Sequence, residues 1–68
     1  MSKKLLVGKN LRRLLKECGL TQQAFADDIY TELRNVNRWV NQGLDSIEKI
    51  QEIADYFDVD FFEFFKEI

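Results

Sequence analysis

Arg34, Asn37 and Arg38 are the residues of this chain whose types and spacing best suit a chemistry. Two arginines one helical turn apart project from a single helix face, and Asn37 lies between them on that face. A guanidinium fork can chelate guanine O6 and N7, and an Asn amide can read adenine or hold a phosphate. The blander reading of all three is a solvated helix face. Leu33 can touch a thymine methyl, but its spacing from Val36 and Val40 suits the core equally well. Glu32 favours a helix N-terminus through the dipole. It would repel a phosphate there unless it accepts from a cytosine amino group.

Other chemistries lack their residues. The chain has no His and one cysteine, Cys18, which excludes an intramolecular disulfide and a Cys/His zinc cluster. It holds no cysteine nucleophile with a base, no glycine-rich phosphate loop and no calcium loop, so no catalytic residue, cofactor, metal or small-molecule substrate is expected. The acidic residues of the last two helices would be spread around two surfaces. Cys18 reads as a small half-buried filler near a helix end, with a redox role the lesser alternative. Leu5, Leu6 and Val7 form too short an apolar run for a signal peptide, and no stretch could span a membrane. A soluble cytoplasmic protein is expected.

The elements that would position the arginines lie between Thr21 and Asn41, in TQQAFADDIYTELRNVNRWVN. Thr21 can N-cap one helix, whose apolar stripe is Phe25, Ala26 and Ile29. Val36, Trp39 and Val40 form a second stripe after a short gap. Thr31 or Glu32 can begin that second helix. A short helix, a turn and a second helix make a helix-turn-helix unit, whose second helix can enter the DNA major groove. Upstream, Val7, Leu11, Leu14, Leu15 and Cys18 predict a helix from about Val7 to Cys18. Lys9, Arg12, Arg13 and Lys16 decorate its other faces. Gly19 supplies a left-handed terminus, with Leu20 folding back beyond it. Downstream, Gly43 caps the second helix of the unit. Ser46 caps a fourth helix with a core stripe of Ile47, Ile50, Ile53, Ala54 and Phe57, and Glu48, Glu52 and Asp55 on its outer face. Asp60 and Glu63 suggest a capping box for a last helix over 61–68.

With these residues in order, the chain resembles the Cro/repressor-type, or XRE-like, helix-turn-helix family. The resemblance runs from about Val7 to Phe65. It is carried by Leu20-Thr21-Gln22-Gln23, Phe25-Ala26, Val36, Arg38-Trp39 and Asn41. Gly8-Lys9, Leu11-Arg12, Leu14 and Gly19 match upstream, and Ser46-Ile47-Glu48 and Asp58-Val59-Asp60 downstream. It implies an all-α, compact, five-helix lambda-repressor-like domain with a central helix-turn-helix, spanning 1–68. The family's base-reading and phosphate positions fall on Glu32, Leu33, Arg34, Asn37 and Arg38. Gln22 and Asn41 resemble its phosphate contacts, and Gln22 sits where helix N–H groups also face outward. A buried Arg–Glu pair of the family maps onto Leu15 and Val40, which are expected to touch as an apolar replacement.

Three departures bear on this reading. Tyr30 stands where the family has a left-handed Gly, at a cost of about 1–2 kcal/mol, and Thr31 stands where it has a buried aliphatic residue. Alternatively, the first helix of the unit runs one residue further, Tyr30 packs inward and Leu33 replaces the missing aliphatic group. The loop before Ser46 is also about a residue short and has no basic residue for the DNA backbone.

The net charge of −2 conceals an asymmetry. Residues 1–40 carry eight basic and four acidic side chains, net +4, and residues 41–68 two and eight, net −6. Such a split points to one polyanion-facing side. Four Phe in five residues cannot share one helical stripe. Phe61, Phe64 and Phe65 suit the core, leaving Phe62 and Ile68 over. Phe62, Phe65 and Ile68 are therefore expected at a homodimer interface, and the family commonly dimerises through this region. The expected function is sequence-specific binding of double-stranded DNA by a phage- or bacterial-type transcriptional repressor, acting as a dimer on a palindromic operator. The rival is a protein-interaction module on the same fold, such as an antitoxin or antirepressor.

Overall fold

In the computed structural model, which describes residues 2–68, α1 (Lys3–Glu17) starts four residues before the expected Val7. Ser2 caps it by accepting from Leu5 N at 3.3 Å, and Lys3-Lys4-Leu5-Leu6 are all good helix formers. The helix buries Leu6, Val7, Leu11, Leu14 and Leu15. It ends on Gly19 at φ +66, with Leu20 N bonded to Leu15 O at 2.9 Å and Gly19 N to Lys16 O at 3.1 Å. This is the left-handed terminus that Gly19 predicted. Cys18 is exposed rather than half-buried, because the helix end turns it away from the core.

Thr21 caps α2 (Gln22–Asp28) by accepting from Ala24 N at 3.0 Å. The turn after α2 has the same hydrogen bonds as the turn after α1, with Tyr30 in place of glycine. Its φ is 57, and Thr31 N bonds Ala26 O at 2.9 Å. Its side chain is 97% exposed. The inward-packed alternative is therefore excluded, and Tyr30 takes the strained left-handed conformation with no packing in return.

The next helix, α3 (Leu33–Gln42), buries Val36, Trp39 and Val40. It crosses α1 at Gly8, where a Cβ would meet Trp39 O at 2.5 Å and Val40 O at 3.0 Å. Leu15 and Val40 are both buried in the same cluster, so two apolar residues occupy the positions where the resemblance placed an ion pair. Gly43 follows α3 at φ +94, and α4 (Ile47–Phe57) is capped by Ser46, which accepts from Lys49 N at 3.3 Å. Ile50, Ile53 and Ala54 are buried as expected. Ile47, at the first position of α4, is instead 64% exposed, and Leu44 is buried in the loop before it. Phe25 stacks on Phe57 at 5.5 Å and meets Tyr56 edge-on at 5.2 Å. The Tyr56 hydroxyl donates to Asp28 at 2.6 Å, and this bond to the carboxylate raises the phenol pKa.

The end of the chain departs most from expectation. In place of a fifth α-helix, Phe61–Phe65 form a 3-10 helix, and Lys66–Ile68 carry no regular structure. The described residues are thus all-helical, with four α-helices, one 3-10 helix and no strand. Asp60 caps the segment by accepting from Phe62 N at 2.8 Å. The second half of the expected capping box is missing, because the Glu63 carboxylate pairs with Arg13 and Lys66, each at 3.2 Å. Those cations, Lys66 foremost, hold the Glu63 carboxyl below its ordinary pKa. Asn10, fully buried on α1, donates to Phe64 O at 2.9 Å and Lys66 O at 3.0 Å. In an α-helix the Phe64 carbonyl would accept from the N–H four residues on. Asn10 takes it instead, while the three-residue repeat of a 3-10 helix turns Phe61 and Phe64 to one side. Phe64 is buried completely, Phe61 and Phe65 are half-buried, and Phe62 is 74% exposed.

Candidate nucleic-acid interface

The outer face of α3 is built by subtraction. Val36, Trp39 and Val40 turn inward, which leaves Arg34, Asn37, Arg38 and Asn41 exposed at positions i, i+3, i+4 and i+7 of one helix. These four predicted residues are brought together. Leu33, the first residue of α3, is also exposed, so it does not replace the aliphatic residue missing at Thr31. Glu32 holds the N-cap position without a side-chain cap bond. Its carboxylate pairs with Arg34 Nη2 at 3.0 Å, both side chains being well exposed. A solvated pair of this kind is worth well under about 1 kcal/mol. Arg34 can exchange it for a stronger acceptor, and Glu32 lowers the positive charge of the face until then. Gln22 stands apart from this face, half-buried at the first position of α2.

A residue left among the decorations of α1 also belongs to the site. Arg12 Nη2 donates to Asn41 Oδ1 at 2.8 Å. Asn41 Nδ2 donates in turn to the Asn37 carbonyl at 3.0 Å and to Asn37 Oδ1 at 3.2 Å. This chain of bonds fixes both amides with oxygens and N–H groups assigned, and it carries a guanidinium to the C-terminal end of the α3 face. Arg12 and Asn41 are far apart in sequence, so no local spacing announces their pairing. Arg38 forms no ion pair among the described residues. Behind the helix, Lys49 of α4 lies over the Trp39 ring, 5.9 Å from its centroid. The start of α4 therefore lies on the inner side of α3, away from the polar face.

The three residues expected at a dimer interface do not share one surface. Phe62 and Phe65 line an apolar groove of about 470 Å³ with Phe61, Leu44, Ile47 and Ile50. Ile68 lines another groove, against Lys9, Arg12, Arg13 and Lys16 of α1. The cause is the irregular end of the chain, which removes the helical phase that would have aligned Ile68 with Phe65.

No protein-family model, curated protein or solved structure matches this chain. No helix among the described residues is long and apolar enough to cross a membrane, and no cluster of potential metal ligands occurs among them.

Proposed function

We propose that this chain is a sequence-specific double-stranded DNA-binding regulator, a repressor of the Cro/repressor type with a lambda-repressor-like fold. The observation that carries the reading is the outer face of α3, where Arg34, Asn37, Arg38 and Asn41 are all exposed on one side of a helix. Two guanidinium forks and an amide at this spacing match the donors and acceptors of base edges in a major groove. Gln22, on the first turn of α2, contacts a phosphate in this arrangement and carries no sequence information. A homodimer on a palindromic operator would use the groove of Phe62 and Phe65. Phe62→Glu should then shift sedimentation toward monomer with helicity unchanged, and a wild-type chain that stays monomeric on DNA would remove the dimer.

The deciding experiment measures affinity against salt for the wild type and Arg34→Ala, Arg38→Ala and Gln22→Ala, on a selected site and on random duplex. Each arginine variant should lose about 1–3 kcal/mol on the selected site and relax preference at one base position. Gln22→Ala should weaken binding to both DNAs alike. Equal affinity for both DNAs, with no loss in the arginine variants, would leave the chain as a protein-interaction module. The Glu32–Arg34 pair favours that second reading, since it places a carboxylate on the face that would approach the phosphates.

A further inference from the structure

The basic residues of this chain fall into two sets. Arg13, Arg34, Lys49 and Lys66 are held in ion pairs, whereas Lys3, Lys4, Lys9, Arg12, Lys16 and Arg38 form none among the described residues. Of the unpaired set, Lys9, Arg12 and Lys16 stand at i, i+3 and i+7 of α1 and are all exposed, so they make one stripe along the helix. Glu17, the nearest carboxylate in sequence, is taken by Arg13 at 3.2 Å, on the flank of the stripe. The stripe is joined to α3 at its middle, where Arg12 bonds Asn41. Lys9, Arg12, Val40 and Asn41 line a single groove between the two helices. Lys16, on the last turn of α1, leads through Gly19 toward Gln22, the first residue of α2.

We infer that Lys9, Arg12 and Lys16 form a second phosphate-binding track, on which α1 holds the DNA backbone while α3 reads the bases. This inference rests on the DNA-binding reading and deepens it. The stripe is an unneutralised cationic ridge that adjoins the α3 face through a hydrogen bond. A duplex seated on that face presents its flanking phosphates at regular intervals, and lysine ammonium and arginine guanidinium groups at helical spacing can meet them without any sequence match. The loop between α3 and α4, Gly43 to Ser46, offers only Asp45 as a charged residue. Cationic contacts to the DNA backbone on that side would therefore fall to α1.

The test is a salt titration of Lys9→Gln/Lys16→Gln on a selected duplex, beside Lys49→Gln/Lys66→Gln, which removes the same charge from two side chains held in ion pairs with Glu52 and Glu63. Each phosphate contact contributes about 0.9 to the slope of log affinity against log salt. The α1 double variant should lower that slope by about 1.8 with its base preference intact, and the control pair should leave it unchanged. Equal slope changes in both double variants, or no change in the α1 variant while Arg38→Ala weakens binding, would overturn the track and leave the α3 reading standing. No binding of duplex by the wild type would overturn both. Circular dichroism of each double variant should show the helices intact.

Discussion

The outer face of α3 and the segment after Asp60 carry similar amounts of sequence signal, yet they are positioned by different forces. On α3, burial of Val36, Trp39 and Val40 determines the orientation, and the polar residues are exposed because the other side is taken. After Asp60, four Phe compete for one small space. The outcome is decided by Asn10, a buried side chain on α1 that bonds the backbone of Phe64 and Lys66. Periodicity thus orients an element whose own apolar stripe is clear. Where the stripe is ambiguous, a distant polar group sets the backbone.

The largest expected effect attacks the apolar side of this comparison. Leu15→Arg would put an uncompensated charge among Val40 and its neighbours and should cost about 3–5 kcal/mol in urea denaturation. Adding Val40→Glu should return part of that loss, and strictly additive losses would show that the two positions do not interact. The polar side breaks next. Asn10→Ala leaves the Phe64 and Lys66 carbonyls without their buried donor and should cost about 1–3 kcal/mol. Amide exchange should rise first over 64–68, and uniform loss across all helices would contradict a role confined to the tail.

Tyr30→Gly sharpens the comparison with a change of opposite sign. It relieves about 1–2 kcal/mol of left-handed strain but adds about 0.5–1 kcal/mol of unfolded-chain entropy. The melting temperature should rise slightly, since no packing of the Tyr30 ring is lost. A fall would mean that the ring has a partner. The smallest effect is acidic. Because Lys66 and Arg13 depress the Glu63 pKa, the pairing stabilises the fold above the ordinary value of 4.5. That contribution is lost as pH falls through the lowered folded value. Glu63→Gln should flatten stability over that acid window, with a small loss at neutral pH and none once the carboxyl of the wild type is protonated.

Much of the fold was legible for these physical reasons. Thr21, Gly19 and Ser46 predicted caps that the structure contains, because capping needs one residue type at one position. The exposed face of α3 followed from its buried stripe. Arg12 was missed because its partner Asn41 lies two helices away. Ile47 was misplaced because stripe counting weighs the first turn of a helix like its middle, although the first turn has fewer neighbours to bury it. Ile68 left the side of Phe65 once the 3-10 helix replaced the expected α-phase. The two conformations of Tyr30 were not distinguishable in the sequence, since the gain from burying a ring and the strain of the left-handed backbone are of similar size.

Gly8 is buried and bears no functional group, yet it works as a spacer. By letting the α1 backbone rest against the carbonyls of Trp39 and Val40, it makes α1 and α3 a calliper with a fixed gap. One jaw carries Arg12 and the other Arg38. A single added methyl group would open the jaws rather than blunt them. If the chain binds duplex DNA as proposed, Gly8→Ala should show as an altered spacing of protected phosphates, with the side chains of both helix faces still present.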